Sequence, residues 1–146
     1  MRPDRAQRLK SELELVHRRF VVDRQIENDA IAPVLPFVEP ADREVIALIC
    51  AVLAYGKVRH IQASVKRLIT PMGPRPSLWL REASNRDLKR ISEGWQHRFN
   101  DEKDGYNLLR VLKATLESSG SIENFVSPKP GEDSFEVIEG WIRKVE

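Results

Sequence analysis

The chain has 146 residues, is 41% hydrophobic and 32% charged, and carries a formal net charge of only +2. That length supports one hydrophobic core and therefore a single domain. The lone cysteine, Cys50, excludes a disulfide framework, an all-cysteine iron–sulfur cluster and an all-cysteine zinc site within the chain.

Every periodic segment reads as helix, and no stretch alternates with period two for long enough to be a strand. The fold class expected is all-α, a single helical domain over 1–146. The N-terminal unit, 1–27, holds a first helix over 3–23 with Leu9, Leu13, Val16 and Phe20 in one narrow stripe flanked by charge. A proline-rich linker follows over 28–40, punctuated by Pro33, Pro36 and Pro40, and reads as extended chain. Pro40 suits the first turn of the next helix.

A helical core over 41–125 begins with two apolar helices. Ile46, Ile49, Cys50 and Leu53 fall at i, i+3, i+4 and i+7, and Ile61, Val65, Leu68 and Ile69 repeat the pattern. Between them lies the tight corner Ala54-Tyr55-Gly56-Lys57-Val58, with Gly56 at a helix end where positive φ is favoured. The corner offers an aromatic, Tyr55, and a cation, Lys57, with Arg59 and His60 on the opening turn of the second helix. Cations and a helix N-terminus both favour an anion such as a phosphate. The plainer reading of these residues is an ordinary helical hairpin with a solvated corner.

After the loop Thr70-Pro71-Met72-Gly73-Pro74-Arg75-Pro76, two short helices are predicted over 77–81 and 86–91, carrying Leu78, Trp79, Leu88 and Ile91. The run Gly94-Trp95-Gln96-His97-Arg98-Phe99-Asn100 then makes a turn in which His97 and Arg98 can grip phosphates while Trp95 or Phe99 stacks on a base. The plainer reading is that Trp95 and Phe99 are core anchors there, and that His97 and Arg98 satisfy loop carbonyls. A long amphipathic helix is predicted over 102–119, with Tyr106, Leu109, Leu112 and Leu116 inward and Gly120 closing it. A polar spacer over 126–133 leads to a terminal helix over 134–146, announced by the capping box Asp133 to Glu136 and carrying Phe135, Ile138, Trp141, Ile142 and Val145.

Charge is distributed unevenly. Residues 57–110 hold 12 Lys or Arg against 6 Asp or Glu, whereas residues 25–56 hold 1 against 5. A basic middle beside acidic segments fits a nucleic-acid footprint, and a solvated helical surface produces the same pattern. His17, His60 and His97 have no metal-ligand spacing, and no nucleophile elbow or phosphate-cradling glycine loop occurs. Paired carboxylates such as Asp101-Glu102 and Glu132-Asp133 lie in charged surface runs. No catalytic residue, metal site or cofactor is therefore assigned. The longest apolar run, residues 45–55, is shorter than the roughly 20 residues that span a bilayer. The basic start MRPDRAQRLKSELE has no apolar stretch behind it to make a signal peptide. A cytoplasmic protein without a membrane partner is expected.

The segment DREVIALICAVLAYGKVRHIQASVKRLI resembles the core helical pair of the helix-hairpin-helix DNA glycosylase superfamily, the fold of endonuclease III. Three stretches, Leu53-Ala54-Tyr55-Gly56-Lys57-Val58, His97-Arg98-Phe99 and Gly120-Ser121-Ile122-Glu123-Asn124-Phe125, resemble an uncharacterised bacterial protein family of that general build. The likeness runs over roughly 29–125. It implies an orthogonal multi-helix bundle corresponding to the front portion of a glycosylase domain. It also implies a DNA-binding, DNA-repair-like function with double-stranded DNA as partner, and Tyr55 as a residue that wedges into the duplex. The glycosylase hairpin, lysine and aspartate, and the Leu-Asp-Thr-His stretch expected of the close family, do not occur in the sequence, so the chain reads as an incomplete domain lacking its catalytic half. The nucleic-acid-binding residues expected are Tyr55, Lys57, Arg59, His60, His97 and Arg98. The competing reading is a non-catalytic helical interaction or structural module that binds no nucleic acid. Because the first and last helices each carry an apolar stripe, either self-association or mutual docking of these helices is expected.

Overall fold

The computed structural model describes residues 5–20, 26–127, 131, 133, 137, 139 and 140, with backbone alone for 19 and 20. Among them it is all-α, with no strand. Seven α-helices follow one another: α1 (Arg5–Phe20), α2 (Pro40–Val52), α3 (Val58–Ile69), α4 (Pro76–Glu82), α5 (Asn85–Ser92), α6 (Glu102–Ser119) and α7 (Ile122–Val126). The terminal helix expected over 134–146, with its capping box, lies almost wholly outside the described residues.

Two helices organise the core. α2 packs against α3, α4 and α7, and α6 packs against α4, α5 and α7. The stripes that the sequence predicts for α2 and α3 are the buried faces: Ile46, Ile49, Cys50, Leu53, Ile61, Val65, Leu68 and Ile69 are all buried. From α6, Leu109, Leu112 and Leu116 complete this core with no exposed surface. Asp42, in the first turn of α2, is a buried carboxylate. It accepts from the Ser77 amide at 2.9 Å and from Arg75 Nε at 3.2 Å, tying α2 to the start of α4. A buried charge survives only when paired in this way.

The helix boundaries follow local chemistry. α5 and α6 each open with a capping box, Ser84 with Asp87 and Asp101 with Asp104. In each, a side chain satisfies an N–H that the helix itself cannot. α6 closes at Gly120, whose φ of +79° is open to glycine at little cost.

Three expectations are corrected. The 28–40 stretch is not extended: it contains a 3-10 turn, Ala32–Val34, just after another at Ile26–Asn28, with Pro33 and Val34 buried. Gln62 of α3 pins it by donating to the Glu27 and Asp29 carbonyls, both at 2.8 Å. α4, whose seven residues give its period little length to declare a face, buries Leu80 with Pro76 and Ser77 and leaves Leu78 exposed. α7 lies where no helix was predicted. Its first amides, of Ile122 and Glu123, donate to the Glu44 carboxylate of α2 at 2.9 and 3.1 Å. Finally, Gly56 has the expected positive φ, +107°, but α2 stops earlier at Val52, so the glycine turns the link and does not end the helix.

Candidate nucleic-acid interface

The link between α2 and α3 is short and tightly wound. The Leu53 amide reaches back to the Ile49 carbonyl, and the Tyr55 amide donates to Leu53 at 2.7 Å. Lys57 is extended, with φ −80° and ψ 132°, and its side chain does not cap α3. Among the described residues no side chain accepts from the opening amides of α3, the condition in which a helix start attracts an anion.

The fold brings the 97–99 turn against this corner, across about forty residues of chain. His97 is 2% exposed, and both its ring nitrogens are engaged. Nε2 lies 3.3 Å from the Tyr55 carbonyl and Nδ1 lies 3.0 Å from Ser64 Oγ. The carbonyl can only accept, so in the neutral ring Nε2 carries the hydrogen and Nδ1 accepts from the Ser64 hydroxyl. The Tyr55 ring meets the His97 ring edge-on, with centroids 4.8 Å apart. Trp95, 2% exposed, stacks on the same His97 ring with centroids 6.5 Å apart and donates Nε1–H to the Ser64 carbonyl at 3.0 Å. His97 is thus a buried strut that holds the Tyr55 backbone, and it lies beneath the surface a ligand would touch.

The other five residues singled out in the sequence are exposed. Tyr55 shows 37% of its surface, and Lys57, Arg59, His60 and Arg98 are open to solvent. Arg59 Nε donates to His60 Nε2 at 3.2 Å. Arg98 has a φ of +56°, the one non-glycine residue with positive φ among the described residues. The amide of His97 and that of Asn100 each donate to the other's carbonyl at 2.9 Å, which closes the turn around it. Its side chain consequently lies over Gly56, where a Cβ would stand 3.1 Å from Arg98 Cδ. Phe99 is 88% exposed, which overturns its reading as a core anchor, and the Arg98 guanidinium lies 5.5 Å from its ring centroid. Among the described residues, Lys57, Arg59 and Arg98 form no ion pair with a carboxylate. Anion binding there breaks no existing charge pair.

Sequence reasoning missed Ser64, which holds Trp95 through its carbonyl and His97 through its hydroxyl; a serine on an amphipathic helix gives no signal of this. The third motif, 120–125, belongs elsewhere. Ser121 caps α7 by accepting from the Asn124 amide, and Arg81 donates to the Gly120 carbonyl. Among the described residues, no group of three or more His, Cys, Asp or Glu side chains is arranged to hold a metal ion, and no helix is long and apolar enough to cross a membrane. A family model described as "Protein of unknown function (DUF2400)" matches residues 29–145. No curated protein matches the chain, and no solved structure matches it.

Proposed function

We propose that this chain, which belongs to the DUF2400 family, is a DNA-binding protein of DNA-repair type that lays the α2–α3 corner on double-stranded DNA. One observation carries the reading. Tyr55, Lys57, Arg59, His60 and Arg98 are all exposed at or beside the uncapped start of α3, with Arg98 lying over Gly56, and the cations Lys57, Arg59 and Arg98 have no carboxylate partner among the described residues. Lys57, Arg59 and Arg98 contact phosphates, and Tyr55, braced from behind by His97, enters the duplex as a wedge. The resemblance of this helical pair to helix-hairpin-helix glycosylases supports the same assignment. No residue of this chain is given a catalytic role, and the purified chain is expected to leave abasic and damaged duplexes intact. Turnover that a point substitution in this chain abolishes would refute that.

Binding to a labelled duplex at low salt tests the main claim. Replacing Lys57 and Arg59 together with Gln should weaken binding and flatten the log–log salt dependence by roughly 2 units, about one per phosphate contact. An unchanged slope removes both residues from the interface. A second reading, an interaction module without nucleic-acid binding, is favoured by the exposed apolar stripe of α1, where Leu9, Leu13 and Val16 are each at least half exposed. A complete absence of duplex binding at low salt would select it.

A further inference from the structure

The twelve cations of residues 57–110 are not evenly solvated. Arg75 is bound to Asp42, Arg81 to the Gly120 carbonyl, and Arg67 to the Glu93 carbonyl. Lys57, Arg59 and Arg98 line the corner. Four others converge on a different place, an open groove of about 580 Å³ between α5 and α6. Arg86, Lys89 and Arg90 stand at i, i+3 and i+4 on the outer face of α5, opposite its buried Leu88 and Ile91. Lys103 and Tyr106 stand at i and i+3 on α6 and face them across the groove.

Three details give the groove a chemistry. Two carboxylates line it: Glu102 is already engaged by the Gly94 amide at 2.7 Å, so it adds less repulsion than its charge suggests, and Glu93 sets one negative charge against the four cations. Arg90 is paired with Asp87 at 3.2 Å, which leaves Arg86, Lys89 and Lys103 without an ion-pair partner among the described residues. Tyr106 is half-buried, and Lys89 Nζ lies 5.7 Å from its ring centroid, so a cation and an aromatic surface are offered side by side. Cations beside a flat ring suit a phosphate joined to a planar base, and the volume is that of a small-ligand pocket.

We propose that the α5–α6 groove is a nucleotide-binding site, taking the phosphate on Arg86, Lys89 and Lys103 and the base against Tyr106. The proposal rests on the nucleic-acid reading above but uses none of the corner's residues.

Amide chemical shifts of the full chain, titrated with an eight-residue oligothymidylate and separately with thymidine monophosphate, test it. Saturable shifts are expected at Lys89, Lys103 and Tyr106. The double variant Arg86→Gln, Lys89→Gln, at exposed positions, should bind the oligonucleotide at least tenfold more weakly, with a salt slope shallower by roughly 1.4 for two single-strand contacts. Tyr106→Phe should bind as the parent does, whereas Tyr106→Ala should lose roughly 5- to 150-fold, the range of one stacked base. Preference for the oligonucleotide assigns the ligand as a strand, and equal affinity for the monophosphate assigns it as a free nucleotide; both uphold the site. Shifts confined to residues 55–60 and 97–99, or a double variant that binds as the parent does, overturn it. Lys57→Gln with Arg59→Gln should leave the groove shifts intact, so failure at the corner is told apart from failure here.

Discussion

At the scale of single residues, the corner is built under strain that one side chain makes useful. Arg98 occupies the left-handed region, which costs a residue with a Cβ roughly 1–2 kcal/mol relative to glycine. Arg98→Gly should therefore keep or slightly raise the melting temperature while weakening duplex binding. A lower melting temperature would show that the arginine side chain, and not the turn, holds this segment. Gly105 gives the opposite case. It lies inside α6, where alanine is normally better by about 1 kcal/mol, yet a Cβ there would stand 2.8 Å from Trp95 Cε3. Trp95 is wedged between α6 and Ser64, so it cannot retreat without losing its hydrogen bond. Gly105→Ala should destabilise by about 1–3 kcal/mol in denaturant titration, as overpacking does. Cys50 carries a pH signature. Burial raises its thiol pKa to about 11 from the ordinary 9.0, so the folded state keeps a proton that the unfolded state releases first. Its contribution is whole below pH 9 and is lost as pH climbs from 9 towards 11. Denaturant midpoints across that window should fall more steeply for the parent than for Cys50→Ala. Parallel curves would mean that the thiol does not titrate differently on unfolding.

At the scale of elements, chemistry that declares itself locally could be read in advance. α6 runs over Glu102–Ser119 as its sequence predicts, because Gly120 marks its end and five turns of period precede it. α7 could not be read, since five residues hold too little period to separate helix from loop. What stabilises α7 is distant in sequence: the Glu44 carboxylate accepts from the first two of its amides. Glu44→Ala should cost about 1–2 kcal/mol as a lost cap and speed hydrogen exchange at Ile122 and Glu123 more than anywhere else in the chain. Uniform protection across the variant would dissolve that link. The corner divides the same way. Gly56 and the basic residues were visible as a motif, and the 97–99 turn was visible as another. Their meeting was not, because a buried histidine bonded to a backbone carbonyl forty residues away leaves no pattern in sequence. For His97 the reading that holds is that of a side chain satisfying a loop carbonyl, here that of Tyr55; which carbonyl it is, and that the ring is buried, only the fold decides.

At the scale of the whole molecule, α1 stands apart from the organisation around α2 and α6. Every described side chain from Arg5 to Arg18 is exposed, including Leu9, Leu13, Leu15 and Val16 at 50–59%. The internal supports of this helix are slight: one Arg8–Glu12 pair at 3.3 Å and a Ser11 hydroxyl on the Gln7 carbonyl. An exposed pair of that kind contributes at most about 0.5 kcal/mol. A helix of 16 residues is marginal in water on propensity alone, and most helices take their stability from a covered apolar face. The apolar positions Leu9, Leu13 and Val16 are spaced by four and three, the alternation that lets two helices interlock along a seam. A second copy of the chain supplies a matching seam. We therefore expect the chain to self-associate through α1, with sedimentation coefficient and helical ellipticity rising together with concentration. Leu9→Gln with Leu13→Gln should abolish both rises and leave the melting of the α2–α6 core unchanged, because both side chains are more than half exposed. A parent chain that stays monomeric at high concentration while keeping α1 fully helical would defeat the expectation, since an uncovered stripe would then suffice to hold the helix.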